Sequence, residues 1–388
     1  MQIQTQAKEI ASLYYKELTE EILPFWVKHS ADITHGGFFT CLDANGNVYD
    51  TDKFMWLQGR QVWCLSFMYQ HLQANPAWKE LALHGAAFME RYGRDAEGNW
   101  YFSLNQAGQP LVQPYNIFSD CFASMGFGAL YSITQKEEYA QIAINTFLNI
   151  LKRRNNWKGK YNKNFPDTRP LKTFSLPMIL CNLSLELEHI IGKEMLEQFI
   201  PEVIHEVMEV FYQPQLGLVL ENVTTDGKLS DSYEGRLLNP GHTIEAMWFI
   251  MDLGVRLEQP ELIEKATTIM LRTLEHAWDK EYGGLFYFMD VLNKPLQQLE
   301  WDQKLWWVHV ETLVALAKAW KLTGSQDAAV WFNRVHDYTW SHFRDLNGGE
   351  WFGYLNRRGE VLLPLKGGKW KGCFHIPRSL YQIWKTLH

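Results

Sequence analysis

Cysteine is scarce in this chain and follows no pattern. The five cysteines (Cys41, Cys64, Cys121, Cys181 and Cys373) are odd in number, scattered over 388 residues, and never stand as Cys-x-x-Cys. That argues against a disulfide framework and favours free thiols in a reducing cytosol. Positive charge is also short. Lys and Arg number 37 against 44 Asp and Glu, for a formal net charge of -7. A nucleic-acid partner would call for a basic stripe that this balance does not offer. No apolar run reaches the roughly 18 residues of a membrane span. The first residues lack the charged start, apolar middle and small-residue cleavage site of a signal peptide. His-Glu-x-x-His, Gly-x-Gly-x-x-Gly and Gly-x-Ser-x-Gly are all missing. Gly367-Gly368-Lys369 and Lys158-Gly159-Lys160 only faintly evoke a phosphate-binding loop. The expectation is a cytoplasmic protein with no metal site, no nucleic-acid partner and no membrane partner.

What the chain holds in abundance is aromatic. Seventeen Trp, 17 Tyr and 22 Phe make up 14% of the residues, within a hydrophobic share of 46%. Such rings stack on sugar faces, and they equally fill a large core.

Many of the rings belong to a repeat. A glycine followed by aromatic or aliphatic residues recurs six times, about every sixty residues: Gly36-Gly37-Phe38-Phe39, Gly98-Asn99-Trp100-Tyr101, Gly159-Lys160-Tyr161, Gly217-Leu218-Val219-Leu220, Gly283-Gly284-Leu285-Phe286 and Gly348-Gly349-Glu350-Trp351. Turn residues follow at Gly46, Gly108, Gly227 and Gly359, with Asn293 in the fifth copy; the third copy lacks a clear return strand. These read as short β-hairpins, because glycine accepts the positive φ that a tight turn demands. A fixed period of this kind marks a repeat architecture.

Each gap between hairpins contains two segments with apolar residues at three- and four-residue steps. They are 53–73 and 77–92, 117–134 and 136–154, 174–191 and 194–212, 241–258 and 261–278, and 305–322 and 326–343. One helical region precedes the first hairpin (6–28, bent at Pro24) and one follows the last (372–387). The two orphans can pair and close a ring. The expectation is an all-α fold: an (α/α)6 barrel of twelve helices with short β-hairpins at one mouth, formed as a single unit over 1–388. An open helical solenoid is the alternative.

The helix directly after each hairpin reads as the inner one, so the inner helices begin at the hairpin mouth. Helix N-termini and loops are where polar ligands are held. Polar groups cluster there in otherwise apolar text: Arg60, Asn116, Asp120, His242, Glu245, Lys304, His309, Glu311 and His375. Most fall about 18 to 28 residues after their hairpin glycine, which places them in one layer around the axis. Histidine exchanges protons near neutral pH. Two histidines on opposite sides of a carbon next to a carbonyl could remove a proton from one face and return one to the other. Arg60 could stabilise the enolate between these steps, or serve as an ion-pair partner in the framework. Glu245, one helical turn from His242, could orient it. His309 and Glu311 are two apart and cannot share a helix face. Cys373 and His375 are also two apart, which speaks against a thiol nucleophile.

Several blocks resemble the N-acylglucosamine 2-epimerase family, with the strongest likeness to its cyanobacterial members. They are Asp50-Thr51-Asp52-Lys53-Phe54-Met55-Trp56-Leu57-Gln58, Asn239-Pro240-Gly241-His242, Leu299-Glu300-Trp301-Asp302-Gln303-Lys304-Leu305-Trp306-Trp307 and Lys369-Trp370-Lys371-Gly372-Cys373-Phe374-His375-Ile376-Pro377-Arg378. The resemblance covers essentially the whole chain. It implies interconversion of N-acetyl-D-glucosamine and N-acetyl-D-mannosamine, a homodimer, and ATP as an activator that is not consumed. It assigns catalytic roles to Arg60, His242, Glu311 and His375, and the choice of Glu311 over His309 rests on it alone. No cofactor is implied for the chemistry. Asn116, Asp120, Glu245, Lys304 and Trp370 are the candidates for substrate contact.

The third repeat departs from the others with a basic loop, Arg153-Arg154-Asn155-Asn156-Trp157-Lys158-Gly159-Lys160-Tyr161-Asn162-Lys163, and Arg169 follows it. It reads either as a solvated basic loop or as a phosphate site. Given the nucleotide activation that the resemblance implies, Arg153, Lys158, Lys160, Asn162, Lys163 and Arg169 are the candidate nucleotide contacts. Three competing readings stay open. An epimerase or isomerase for mannose or cellobiose would share the architecture. A glycoside hydrolase would use Glu245 and Glu311 as its carboxylate pair. A binding module would hold sugar or a protein partner without turnover.

Overall fold

The computed structural model describes residues 2–156, 158–165 and 168–388. Its first helix, α1 (Gln2–Lys16), passes through a widened π-type turn at Glu17–Ile22 into α2 (Leu23–His29). Pro24 lies in the first turn of α2. Its ring would clash with the carbonyl four residues back in a regular helix, and the widened turn just upstream gives it room. The bend expected at Pro24 is therefore taken up over 17–22, and α1 and α2 form one rod.

The remaining helices are α3 (Met55–His71), α4 (Pro76–Tyr92), α5 (Phe118–Thr134), α6 (Glu137–Arg153), α7 (Ser175–Glu186), α8 (Lys193–His205), α9 (Pro240–Arg256), α10 (Pro260–Ala277), α11 (Trp306–Thr323), α12 (Gln326–His342) and α13 (His375–Leu387). With α1 and α2 as one rod they make twelve helices among the described residues, as the periodicity predicts.

Burial separates the helices into two rings. In α11 every residue from Trp306 to Ala317 is buried. Such a helix has no solvent face and must be inside. In α10 the buried positions are confined to a stripe that includes Ala266, Met270, Thr273, Leu274 and Ala277, the three- and four-residue spacing of an outer helix. The inner ring runs α3, α5, α7, α9, α11, α13 by successive packing. It closes where α13 returns to α3: the Phe67 and Tyr381 rings meet edge to face at 4.9 Å, and Sγ of Cys64 and Cys373 are 3.7 Å apart. Outside, α1 packs on α13, and Tyr14 of α1 bonds His336 of α12 at 2.8 Å. The terminal helices thus complete a closed toroid.

Two glycines set the closest helix pair. A Cβ on Gly59 of α3 would lie 2.5 Å from the carbonyl oxygen of Phe122, and one on Gly126 of α5 would lie 2.7 Å from that of Gly59. The backbones of α3 and α5 meet where no side chain intervenes.

The repeat glycines behave as the hairpin reading requires except in the third copy, where Gly159–Tyr161 forms a short 3-10 turn and no strand pair among the described residues. All carry positive φ, and Asn293 at φ 56 stands in for glycine in the fifth repeat. Three hairpins are fastened by one device. Asp32, Asp279 and Asp345 each precede a Gly-Gly pair and bond a buried lysine that lies before an inner helix: Lys53 at 2.7 Å, Lys304 at 3.1 Å and Lys366 at 2.5 Å. No described helix is long and apolar enough to cross a membrane.

Candidate active site

A cavity of about 440 Å³ opens at the hairpin mouth, and the early residues of all six inner helices reach it. Arg60 of α3, Phe118 of α5, Ser175 of α7, His242 of α9, Trp306 of α11 and His375 of α13 all line its wall. The shared offset from the hairpin glycines makes this layer. Of the residues expected to carry chemistry, Arg60, His242, Glu245, Trp370 and His375 are in the lining.

The sequence around His242 sets its position. Asn239 caps α9 by accepting from the His242 N–H at 3.2 Å, and Pro240 sits in the first turn. Gly241 clears the Trp307 ring, which a Cβ would approach to 2.6 Å. Nδ1 of His242 bonds Glu221 Oε1 at 2.8 Å. Nothing in the sequence singles out Glu221, which lies in the fourth hairpin, away from the helix starts where polar residues stand out. Glu245, the residue expected to orient His242, instead bonds Arg378. One helical turn sets two residues on the same face but does not decide which carboxylate reaches the ring nitrogen.

His375 is anchored in the same way by another carboxylate. Its Nδ1 donates to Glu311 Oε1 at 2.7 Å. Glu311 is fully buried behind the cavity and also accepts from Trp248 Nε1 at 3.0 Å, Arg378 Nη2 at 2.7 Å and Ser379 Oγ at 3.3 Å. Arg378 closes the network between Glu245 and Glu311, a role that its place in the sequence does not signal. Glu245, Glu311 and His375 present ligand atoms within 4.8 Å of one another, a set suited to a cation. The cation the fold supplies there is the Arg378 guanidinium.

These surroundings displace the two histidines in opposite directions. Burial pushes His242 down, but the bonded Glu221 carboxylate, helped by Glu245, outweighs it and leaves the pKa above the ordinary histidine value. Burial pushes His375 down, and the positive charge of Arg60 and Arg378 drives it further, well below the ordinary value. The Glu245 carboxylate opposes them without outweighing them. At neutral pH His375 is therefore a neutral imidazole. With Nδ1 tied to a carboxylate in each case, Nε2 is the nitrogen left for chemistry. The rings share a neighbour, since the Trp307 indole is 5.3 Å from His242 and 5.8 Å from His375 between centroids.

Arg60 is held by rings. Its guanidinium carbon lies 4.5, 4.0 and 4.6 Å from the centroids of Trp56, Phe122 and Phe374. Among the described residues it makes no salt bridge, and burial lowers its pKa to about 9. It remains charged at neutral pH, and its charge is available to an anion in the cavity. The ion-pair reading of Arg60 is not what the structure has.

Several expected contacts lie elsewhere. Lys304 is fully buried against Asp279, with its ammonium 4.1 Å from the Phe286 ring centroid; it holds the fifth hairpin and is not in the cavity lining. The Asn116 side chain accepts from the Phe118 N–H at 2.9 Å, at the start of α5. Asp120 is buried on Arg153 at 2.5 Å, and burial, opposed by Arg153, raises its carboxyl to about 7. Neither is in the lining. His309 accepts from the Leu285 N–H at 3.0 Å and bonds the Leu305 carbonyl at 2.7 Å, so it is a framework residue. Trp370 lines the cavity at its rim, 49% exposed, with its ring 5.5 Å from Trp56.

The basic loop is partly neutralised. Arg153 pairs with Asp120, Arg154 with Glu202 at 2.7 Å and Arg169 with Glu234 at 3.2 Å. Asn162 accepts from the Asn164 N–H at 3.1 Å, and Lys158 is half-buried. Lys160 and Lys163 are exposed and have no carboxylate partner among the described residues. Trp157 lies outside the described residues. None of the loop residues lines the cavity.

The arrangement suits proton transfer better than glycoside hydrolysis. A hydrolase needs two carboxylates facing a glycosidic bond, about 5 to 9.5 Å apart. Glu245 and Glu311 share one guanidinium, and Glu311 is closed off from the cavity.

Comparison with known proteins bears on the same residues. The sequence profile of N-acylglucosamine 2-epimerase (GlcNAc 2-epimerase) matches residues 37–378. The chain is 37% identical over 373 residues to an N-acylglucosamine 2-epimerase of Rattus norvegicus, covering 93% of this chain and 88% of the relative. It is 37% identical over 380 residues to the Homo sapiens protein of that description, covering 93% and 86%. Among solved structures, a cellobiose 2-epimerase from Bacillus thermoamylovorans superposes with a TM-score of 0.83 at 21% identity, over 97% of this chain and 98% of that one. At that identity the likeness is one of fold.

Proposed function

The chain belongs to the N-acylglucosamine 2-epimerase family and is a carbohydrate isomerase; from this premise we infer that it interconverts N-acetyl-D-glucosamine and N-acetyl-D-mannosamine by proton transfer at C2. The observation that carries the reading is the histidine pair, two imidazoles in one cavity, each anchored through Nδ1 to its own carboxylate and displaced oppositely in pKa.

The reaction starts with the opened sugar, whose C1 aldehyde acidifies the C2 proton. Neutral His375 takes that proton on Nε2, and the C–H electron pair moves into an enolate with its charge on O1. The Arg60 guanidinium faces that charge in a site walled by rings, where screening is weak. Protonated His242 delivers a proton to the opposite face of C2, and the inverted sugar recloses. The reverse reaction exchanges the two roles. Glu311 and Glu221 hold the rings in the required tautomers, and Glu311 does so with Arg378 balancing its charge. No oxidation occurs, so the steps themselves call for no redox group.

The finer parts of the reading are an N-acetylated hexosamine substrate, ATP as a non-consumed activator at the 153–169 loop, a homodimer and a cytoplasmic setting. Their support is the sequence resemblance and, for ATP, the exposed Lys160 and Lys163. The test is incubation with N-acetylmannosamine in deuterated water, followed by NMR, for the wild type, His242→Asn and His375→Asn. The reading expects C2 deuteration with epimerisation in the wild type and loss of epimerisation in both variants, one of them keeping exchange. Unaltered turnover in both variants would refute it.

A further inference from the structure

The walls of the cavity differ in chemistry. Arg60, His242, Glu245 and His375 make one region polar, and Tyr287, Glu300, Gln303 and Tyr354 bring further polar groups from the loops. The part built by α5 and α7 is different. Phe118 and Phe122 stand one helical turn apart on α5, and Met178 and Ile179 lie on the face of α7 that also bears Ser175. No charged side chain from either helix enters the lining, and Ser175 brings the one hydroxyl. Phe122 is fixed under the Arg60 guanidinium at 4.0 Å, while Met178 and Ile179 are 6% and 4% exposed, so this wall is preformed.

An N-acylhexosamine has hydroxyls or the ring oxygen around most of its rim and one purely apolar terminus, the acyl methyl. A hydroxyl set against the α5–α7 wall would lose its water and find few partners, at a cost that an alkyl group escapes. We propose that the α5–α7 wall is the acyl pocket, with Met178 and Ile179 as the residues that set the length of acyl chain the enzyme accepts. The proposal rests on the epimerase reading above and deepens it. The acyl methyl packs on the Met178 and Ile179 side chains, the C2 carbon then faces the histidines, and the sugar hydroxyls face the polar walls. Met178, unbranched and adaptable, defines the far end.

The test compares kcat/KM for N-acetyl-, N-propanoyl- and N-butanoyl-D-mannosamine, followed by NMR. Each methylene too many for an apolar pocket costs about tenfold or more. The wild type is expected to fall by about that factor at the first or second added methylene. Met178→Ala, which removes most of the wall's depth there, should raise the propanoyl-to-acetyl ratio at least about tenfold, with the limbs of the pH–rate profile unmoved. Ile179→Val and Met178→Leu carry the same ratio measurement with smaller changes of volume, and they decide the matter if Met178→Ala melts early by circular dichroism. Equal use of all three substrates by the wild type, or an equal loss on all three in the variants, would overturn the assignment. If the wild type neither epimerises N-acetylmannosamine nor exchanges its C2 proton, the epimerase reading falls and the pocket with it. Normal exchange with unmoved ratios overturns only the pocket.

Discussion

Replacing Glu221 with glutamine removes one negative charge beside His242 and keeps a hydrogen-bond acceptor in nearly the same place. In the native site the carboxylate lies 2.8 Å from Nδ1 and, with Glu245, holds the His242 pKa above its ordinary value against burial. The pair is only partly open to water, with side-chain exposures of 26% and 14%, so screening is incomplete. A hydrogen bond to a charged group contributes about 1.5–3 kcal/mol, against about 0.5–1.5 for the neutral bond that glutamine keeps, so the exchange weakens the hold on the His242 proton by about 1–1.5 kcal/mol. The pKa of the histidine should therefore fall. On the proposed two-histidine mechanism the active enzyme carries one proton across the two imidazoles, so both reaction directions share the same limbs. The acidic limb belongs to protonation of His375, which lies well below the usual range. The basic limb belongs to loss of the His242 proton, because its raised pKa keeps the acid in place until the pH passes it. Glu221→Gln moves that basic limb down and leaves the acidic limb where it was. At a pH above both values of the basic limb, kcat/KM should fall about tenfold relative to the wild type, with a far smaller change on the plateau. The assay is kcat/KM for epimerisation across pH 5 to 9, with circular dichroism to confirm the fold. A basic limb that stays in place, or an equal loss at every pH, would refute the claim that Glu221 tunes His242.

Lys304→Met leaves Asp279 its Arg357 partner and the Glu281 and Tyr282 N–H donors but removes one charged hydrogen bond; it should cost about 1.5–3 kcal/mol in urea unfolding while KM for the sugar stays near the wild-type value, because the lysine is outside the cavity lining. A changed KM with unchanged stability would return Lys304 to the site. Gly59→Ala forces a methyl to within 2.5 Å of the Phe122 carbonyl oxygen and should destabilise by about 1–3 kcal/mol by thermal melting, since backbone cannot swing aside as a side chain can. Lys160→Ala should abolish activation by ATP and leave ATP-free turnover intact; full activation in that variant would move the nucleotide away from the loop.

Most of the architecture was legible in the text of the chain because it rests on local physics. Glycines at positive φ, three- and four-residue apolar steps and a period near sixty residues each report local backbone conformation. Their sum gives helix pairs, and an orphan at each end favours closure into a ring, which the contact of α13 with α3 completes. The same period placed Arg60, His242, Glu245 and His375 in one layer, because a similar offset from each hairpin fixes a similar depth along the axis. Offset says nothing of the partner that a side chain meets. Lys304 stood at the right depth, yet its ammonium turns to Asp279, and Asp120 turns to Arg153.

The sequence by itself determined the helices, most of the hairpins and the level of the polar layer that lines the cavity. Tertiary structure alone decided that Glu221 serves His242, that Glu311 serves His375 and that Arg378 balances two carboxylates. Those pairs join residues 21 to 133 positions apart, and the burial that sets each charge state exists only once the ring has closed.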